Sequence, residues 1–536
     1  MVIRQRSLLV ASLVLLCVLA FMMATVVAQP KRGGTLRVAY GNKIAHLDFH
    51  TAPGYEMMWV AMNIGCGLVN ITPDGEFVGD AAESWELSDD NLTWTFKLKD
   101  GVKFHDGSAV DANAVKFSID RLMDPETKSG MRNFYDSVDS VEVVDPLTVK
   151  VNMKEPYAFF LHMLAGYRTG LVLYSPDVTA KYSLDDRKKG NPEAVVGCGP
   201  FKLVEWVPNN HLIMDRFEGY HVADQPYLDR VQIRVIKDPV TQMAAFKAGE
   251  IDFIASFTPE HVDTLKNQNP DAQLLTGKET TPMIAMMKVT VPADGKRMSE
   301  NRKPHPIFGD INVRKAVGCH GMNREEIVQI AFKGQATPWA GMNPPGTLDT
   351  VNVNDKCPYD PDKAKALLKE AGYDASNPLK FEIITNNEKA VFNIIATVIK
   401  DQMSRLGVDV NIKLVDKVTW MNTVLQDAEW DMEVEDLLSL LTLDSNAYLS
   451  AVGSSWNQSR HTDLKINEYY AQYAREMDAT KRAEIAKEFQ EYAVEKLYWN
   501  AVSGSPFYQV AQSWVKDYVF NKEFEVHFST VWLDKK

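Results

Sequence analysis

Two strand–helix–strand crossovers, placed far apart in one chain, limit what this sequence can fold into. In the first, Val231, Ile233 and Val235 alternate as a strand, and Asp238 caps a helix with Pro239 at its first position. That helix runs to Lys247, Gly249 stops it, and Ile251, Phe253 and Ile254 form the next strand. In the second, Phe381 to Thr385 is a strand, and Ile394, Ile395, Val398, Ile399, Met403 and Leu406 follow helical spacing. Gly407 ends that helix before the strand Val408 to Val415. Such a crossover requires parallel pairing with a helix packed on the sheet. Two of them, about 150 residues apart, predict two separate α/β lobes.

Between residues 80 and 190 the pattern changes to hairpins. Leu92, Trp94, Phe96 and Leu98 alternate, Asp100-Gly101 is a turn, and Val102 and Phe104 return. Val141 and Val143 lead through Asp145-Pro146 to Val149, Val151 and Met153. Asp111 caps a helix carrying Val115, Ile119 and Leu122, which Asp124-Pro125 ends. This stretch is expected as an insertion beside the first lobe. The segments Val291 to Pro306 and Pro338 to Thr350 are the proline-rich linker candidates.

The N-terminus reads as an export signal. Arg4 and Arg6 precede an uncharged run from Ser7 to Ala28, and Val26-Val27-Ala28 suits cleavage after Ala28. The run is also long enough for an uncleaved anchor, but its flanks favour cleavage. The arginines are not adjacent, so no twin-arginine signal is expected, and Cys17 lacks the small preceding residue of a lipoprotein signal. No later stretch is apolar enough to span a membrane. Four cysteines then remain, Cys66, Cys198, Cys319 and Cys357, with three possible full pairings in an oxidising compartment.

The net charge is −13, or −15 without Arg4 and Arg6, the opposite of a nucleic-acid footprint. Catalytic and cofactor motifs are missing: no Gly-x-Ser-x-Gly, no His-Glu-x-x-His, no phosphate-cradling glycine loop and no Cys-x-x-Cys. No cofactor or metal is therefore expected. His46 and His50 read as solvated or core-edge histidines in preference to metal ligands, and His105-Asp106-Gly107 as a turn. Asn70-Ile71-Thr72 and Asn91-Leu92-Thr93 match glycosylation acceptors by a pattern common by chance.

The acidic cluster Glu429, Asp431, Glu433, Glu435 and Asp436, flanked by Trp420 and Trp430, has two readings. The plainer one is a strand with its charges on a wet face. The other is a pocket wall, where aromatic faces beside a carboxylate suit an amine-bearing ligand.

Several segments, in order, resemble one family. They are Gly33 to Ala39, Ala81 to Ser88, Leu92 to Phe96, Gly101 to Gly107 and Val115 to Arg121. Next come Gly197-Cys198-Gly199-Pro200-Phe201-Lys202-Leu203, Ala248 to Asp252, Val313 to Ala316 and Tyr359 to Tyr373. Together they resemble the extracytoplasmic solute-binding proteins of oligopeptide, dipeptide and nickel ABC importers, with Cys198 replacing the usual threonine of a Gly-Thr-Gly-Pro-Phe signature. The resemblance spans Lys31 to about Phe528.

It implies an α/β, two-lobed periplasmic binding protein fold with a hairpin-rich subdomain inserted in the first lobe. Residues 1–28 would be the signal peptide. Lobe I would comprise 29–78, 190–282 and 503–536, with its inserted subdomain at 79–189; lobe II would be 283–502. A monomer would enclose its ligand between the lobes by hinge closure, reside in the periplasm, and meet the membrane only through an ABC permease with its ATPases.

In peptide-binding relatives an aspartate past the Trp430-Asp431-Met432 stretch holds the peptide amino terminus. That position falls near Ser439 or Leu440, and the usual arginines appear as Asp427 and Val434. Trp420 matches the cleft tryptophan. Asp436 and Asp444 are the carboxylates available as substitutes; Thr51, Tyr55, Met342, Asn343 and Trp456 complete the candidate site. With Asp427 replacing a basic residue, the wall is expected to disfavour free di- and tripeptides. A peptide is the ligand the family implies, with a saccharide or amine in competition and nickel disfavoured for want of a histidine cluster. A secreted hydrolase working through paired carboxylates such as Glu433 and Asp436 is the alternative.

Overall fold

A computed structural model describes residues 29–42, 44–51, 55–72, 74–165, 171–257, 261–276, 281–436, 450–454, 457–520 and 526–535. The expected signal segment lies outside these residues. Three sheets of four or more strands organise the described chain.

The first sheet has seven strands. Its centre is Thr35–Tyr40, paired in parallel with both Arg230–Val235 and Phe253–Phe257. The first crossover is thus real, but the N-terminal strand sits between its two ends. Asp238 caps the helix Pro239–Lys247 by accepting from the Thr241 N–H at 2.8 Å.

The second sheet has six strands. Lys380–Asn386 pairs in parallel with both Asp409–Val415 and Met432–Asp436, and Ala390–Arg405 is the crossover helix. Thr281–Met287 lies antiparallel between Met432–Asp436 and Ala501–Ser505. On one face of this sheet, Met432, Val434, Ile383 and Phe381 pack with Phe392, Ile395 and Ile399 of the crossover helix.

The third sheet is the insertion, four antiparallel strands in the order Ala82–Leu87, Thr93–Leu98, Thr148–Met153 and Val138–Asp145. The hairpin at Asp145-Pro146 forms as expected. The one at Asp100-Gly101 does not: Thr93–Leu98 pairs instead with the preceding strand and with Thr148–Met153. Val102 and Phe104 are buried beneath the sheet, so their alternation marks packing and not a ladder. The helix Ala112–Met123 is capped by Asp111, which accepts from the Ala114 N–H at 2.9 Å.

Neither proline-rich segment joins the lobes. Thr290–Pro292 and Arg302–Pro304 form a small antiparallel pair, and most of Pro338 to Thr350 is buried or half-buried loop. The chain instead passes from the first sheet to the second between Thr276 and Thr281, and returns over Pro506-Phe507. The cysteines pair as Cys66–Cys198, bracketing the insertion, and Cys319–Cys357, within the second lobe.

Candidate functional site

In open α/β sheets, ligands meet the crevice beyond the carboxyl ends of the parallel strands. Here both crossing segments leave from that edge. In the second sheet Thr281 pairs with Ser505, and Met283 with Asp436, the last residue of a parallel strand. In the first sheet Thr276 and Phe257 both pair with Tyr508, so the crossing again lies at the end of a parallel strand. The two carboxyl edges therefore converge on the crossing segments.

On the second lobe this edge carries the acidic strand, and its charges are not on a wet face. Glu433 and Glu435 are buried, against the plainer reading of the cluster. Burial pushes the Glu435 carboxyl up, as does the Asp436 charge, while Lys417, donating at 2.9 Å, opposes the shift. Asn386 also donates to Glu435. Burial pushes Asp436 up as well, but its ion pair with Lys389 outweighs this and leaves it below the ordinary range. Between the two, a proton is favoured on Glu435 and disfavoured on Asp436.

Glu433 differs from both. Neither of its oxygens has a hydrogen-bond partner among the described residues. Burial, reinforced by Glu435, drives its pKa well above the usual value; Arg460, Lys417 and the nearby Trp420 indole only partly oppose this. Its carboxyl is held toward the protonated form. The indole N–H of Trp430, both polar atoms of Gln458 and the hydroxyls of Ser503 and Ser505 are also buried with no partner among the described residues. Such capacity is costly to leave unused, at about 1–3 kcal/mol per group, so its concentration on this lobe marks a surface suited to a polar ligand or ordered water.

Trp420 lies on the helix Lys417–Val424, capped by Asp416, and is buried with Ile384, Val424 and Trp430. Lys417 stands over its ring at 4.6 Å. Met342 and Asn343 are wholly buried, and the Asn343 carbonyl accepts from Trp339 Nε1 at 2.5 Å. Thr51 follows the first strand, its N–H donating to Asp48 at 3.1 Å. Tyr55 opens the helix Tyr55–Ile64. Ser439, Asp444 and Trp456 lie outside the described residues.

Asp427 is not part of the wall. It is buried between Lys288 at 2.8 Å and Arg302 at 2.7 Å, which hold it below its ordinary pKa against the opposing cost of burial. Its charge is answered inside the lobe, so the expected hostility to peptide carboxylates loses its basis. Arg302 and Lys288 were missed from sequence; the charge run around Asp427 gave no sign of partners more than 100 residues away.

The histidines are structural. His50 is fully buried, with Nε2 2.8 Å from the Val172 carbonyl, and burial lowers its pKa to about 3. His105 Nε2 lies 3.0 Å from the Gly199 carbonyl. Among the described residues no group of three or more His, Cys, Asp or Glu could hold a metal, and no helix is long and apolar enough to cross a membrane.

Known proteins agree with this architecture. Residues 76–460 match the model of the bacterial extracellular solute-binding proteins, family 5. The glutathione-binding protein GsiB of Salmonella paratyphi A is 31% identical over 379 residues, 71% of this chain and 69% of that protein. GsiB of Escherichia coli K12 is 30% identical over the same length and shares. Among solved structures, the ABC transporter substrate-binding protein CtaP of Listeria monocytogenes superposes with a TM-score of 0.81 at 22% identity. The match covers 94% of this chain and all of that one. Haemophilus influenzae OppA, solved with a peptide, gives 0.77 at 21% identity over 95% and 100%. These structures share the two-lobed fold. Nothing among these relatives supports the hydrolase reading, and the chain is a binding component of an ABC importer, not an enzyme. By its sequence match, the chain belongs to family 5 of the bacterial extracellular solute-binding proteins.

Proposed function

We propose that the chain captures a small organic solute of peptide size between the carboxyl edges of its two sheets. It closes by rotation of one lobe against the other and delivers the solute to a permease driven by ATPases. The observation that carries this reading is the placement of both crossing segments at the edge where the two sheets converge. Lobe I is then 29–78, 190–276 and 508–536, with the insertion at 79–189, and lobe II is 281–505; the boundaries expected at 282/283 and 502/503 move to the crossings because Thr281–Met287 and Ala501–Ser505 pair in the second sheet. Ligand contacts come from Thr51, Tyr55, Met342, Asn343, Asp436, Ser439, Asp444 and Trp456, joined by Glu433, Glu435, Lys389, Lys417 and Ser505 of the acidic edge, with Trp420 packed in the small core behind them. The mature protein is a periplasmic monomer beginning at Gln29.

Glutathione is the first solute to try, because the similar GsiB proteins are named for binding it. Mass spectrometry of the purified protein under native conditions should find one solute molecule per chain. Returning that solute to stripped protein should reduce the radius of gyration. A protein that carries no solute, and whose scattering no candidate solute changes, would contradict the proposal.

A further inference from the structure

The inserted subdomain is fastened to the first lobe at many points. The Cys66–Cys198 disulfide joins the chain on either side of it. Asp48 of the first lobe accepts from Arg121 at 2.8 Å and Arg187 at 2.9 Å, both in the insertion. The Phe49 N–H donates to Tyr174 Oη at 2.8 Å, and the His105 N–H to the Gly197 carbonyl at 2.8 Å. The insertion therefore moves with the first lobe.

One stretch of it, Glu155 to Phe159, reaches the other side. The Ala158 N–H donates to the Ala474 carbonyl at 2.8 Å. Glu155 forms an ion pair with Arg475. The rings of Phe159 and Tyr473 lie 4.9 Å apart, both wholly buried. Arg482 stands over Phe159 at 5.3 Å while pairing with Asp349 at 3.2 Å, and Tyr473 Oη donates to the same carboxylate at 3.0 Å. Tyr473 to Arg475 end the helix Lys465–Arg475, and Arg482 lies on Ala479–Lys496; both helices belong to the second lobe.

We propose that this contact is a clasp that holds the two lobes closed from outside the ligand site, and that it sets how much of the ligand-free protein is closed. The proposal rests on the two-lobed receptor reading above. The clasp adds to the link made by the chain crossings and by the Tyr508 Oη–Gln335 hydrogen bond beside them at 3.1 Å, so lobe rotation that separates the insertion from the second lobe must break it. Aromatic burial supplies most of its strength: Phe159 and Tyr473 are desolvated together, whereas the Glu155–Arg475 pair is half-exposed and contributes little alone. Opening that separates these surfaces has to break the contact, so its free energy is added to the closed side of the open–closed equilibrium, and ligand then completes the closure.

The test uses protein stripped of ligand by reversible denaturation. The backbones at 158 and 474 are within reach of a disulfide, so a variant carrying Ala158→Cys with Ala474→Cys should cross-link under mild oxidation without any solute. Phe159→Ala, read by X-ray scattering, should enlarge the ligand-free radius of gyration. Reversal of one charge, Glu155→Arg, should enlarge it slightly, and adding Arg475→Glu should restore it. The charge pair keeps the test decisive if Phe159→Ala fails to fold. Absence of the cross-link in a protein with unchanged melting temperature would overturn the clasp. So would identical scattering from folded Phe159→Ala and the natural chain, or from all the charge variants if Phe159→Ala does not fold. Recovery of a bound solute tests the receptor reading separately, so loss of the clasp leaves that reading standing.

Discussion

Asp48 and Glu433 are both acids withdrawn completely from water, one in each lobe, and their surroundings are opposite. Asp48 sits between two guanidinium groups and also accepts from the Thr51 N–H. Burial raises its pKa, but the arginines and the nearby His50 pull it below the ordinary range. Among the described residues Glu433 has no hydrogen-bond partner, and burial drives its pKa well above the usual value. A buried charge surrounded by fixed counter-charges holds parts of a protein in register. A buried acid without partners is tolerated where something other than the fold has to use it. The difference separates the mortar of the first lobe from the working edge of the second.

The largest way to break that contrast is to loosen the junction that Asp48 anchors. The Cys66–Cys198 bond spans 132 residues and Cys319–Cys357 spans 38. Chain-entropy estimates give about 5 and about 4 kcal/mol of stabilisation, respectively. Replacing both members of the first pair by serine should therefore lower stability more than the same change in the second. Denaturant titration of the two variants checks the order.

Asp48→Asn should cost about 3–5 kcal/mol, because it leaves Arg121 and Arg187 buried beside a neutral amide. The loss should be smaller at low pH, where the natural chain has already begun to lose the same interaction. Asp48 titrates below its unfolded value, so its contribution is present above about pH 4 and fades as pH falls through the folded pKa. Thermal melts of both proteins from pH 7 down to about pH 2, through the lowered folded pKa, test this.

Much of the fold was legible because it rests on local periodicity. The crossover Lys380–Asn386, Ala390–Arg405 and Asp409–Val415 is written in its apolar spacing and in Gly407. The Asp111 and Asp238 caps are equally local. What failed was non-local. The partner of Thr93–Leu98 lies on its N-terminal side, and alternation alone cannot say which neighbour a strand takes. The same limit hid the lobe crossings, since Pro506-Phe507 looks less like a linker than Pro338 to Thr350 does. At the site, alternation of Glu433 and Glu435 with Met432 and Val434 suggested one wet face. Both faces are covered, and only the tertiary structure supplies the second cover.

Trp420 tests how far the working edge depends on its own small core. It packs with Ile384, Val424 and Trp430 and is almost wholly buried. Truncating a packed tryptophan typically costs about 3–5 kcal/mol, and Trp420→Ala should fall near the lower end because the cluster is small. The empty protein's melting temperature should drop clearly. An unchanged melting temperature would instead make Trp420 an open cleft residue, whose loss shows only as weakened ligand binding.

The smallest and sharpest change is Glu433→Gln. The substitution keeps the shape and removes the titration. In the natural chain Glu433 keeps its proton when folded and loses it when unfolded above about pH 4.3. The unfolded state then binds fewer protons, so stability falls as pH rises until the folded pKa is passed. Each pH unit in that window costs about 1.4 kcal/mol from this group alone. Glu433→Gln should therefore be close to neutral at pH 5, more stable than the natural chain at pH 8, and flatter between them. Glu435 titrates upward too and keeps a residual slope in both proteins. If Glu433→Gln is instead destabilised equally at pH 5 and pH 8, then Glu433 has a partner the fold depends on. The contrast with Asp48 would then be one of degree.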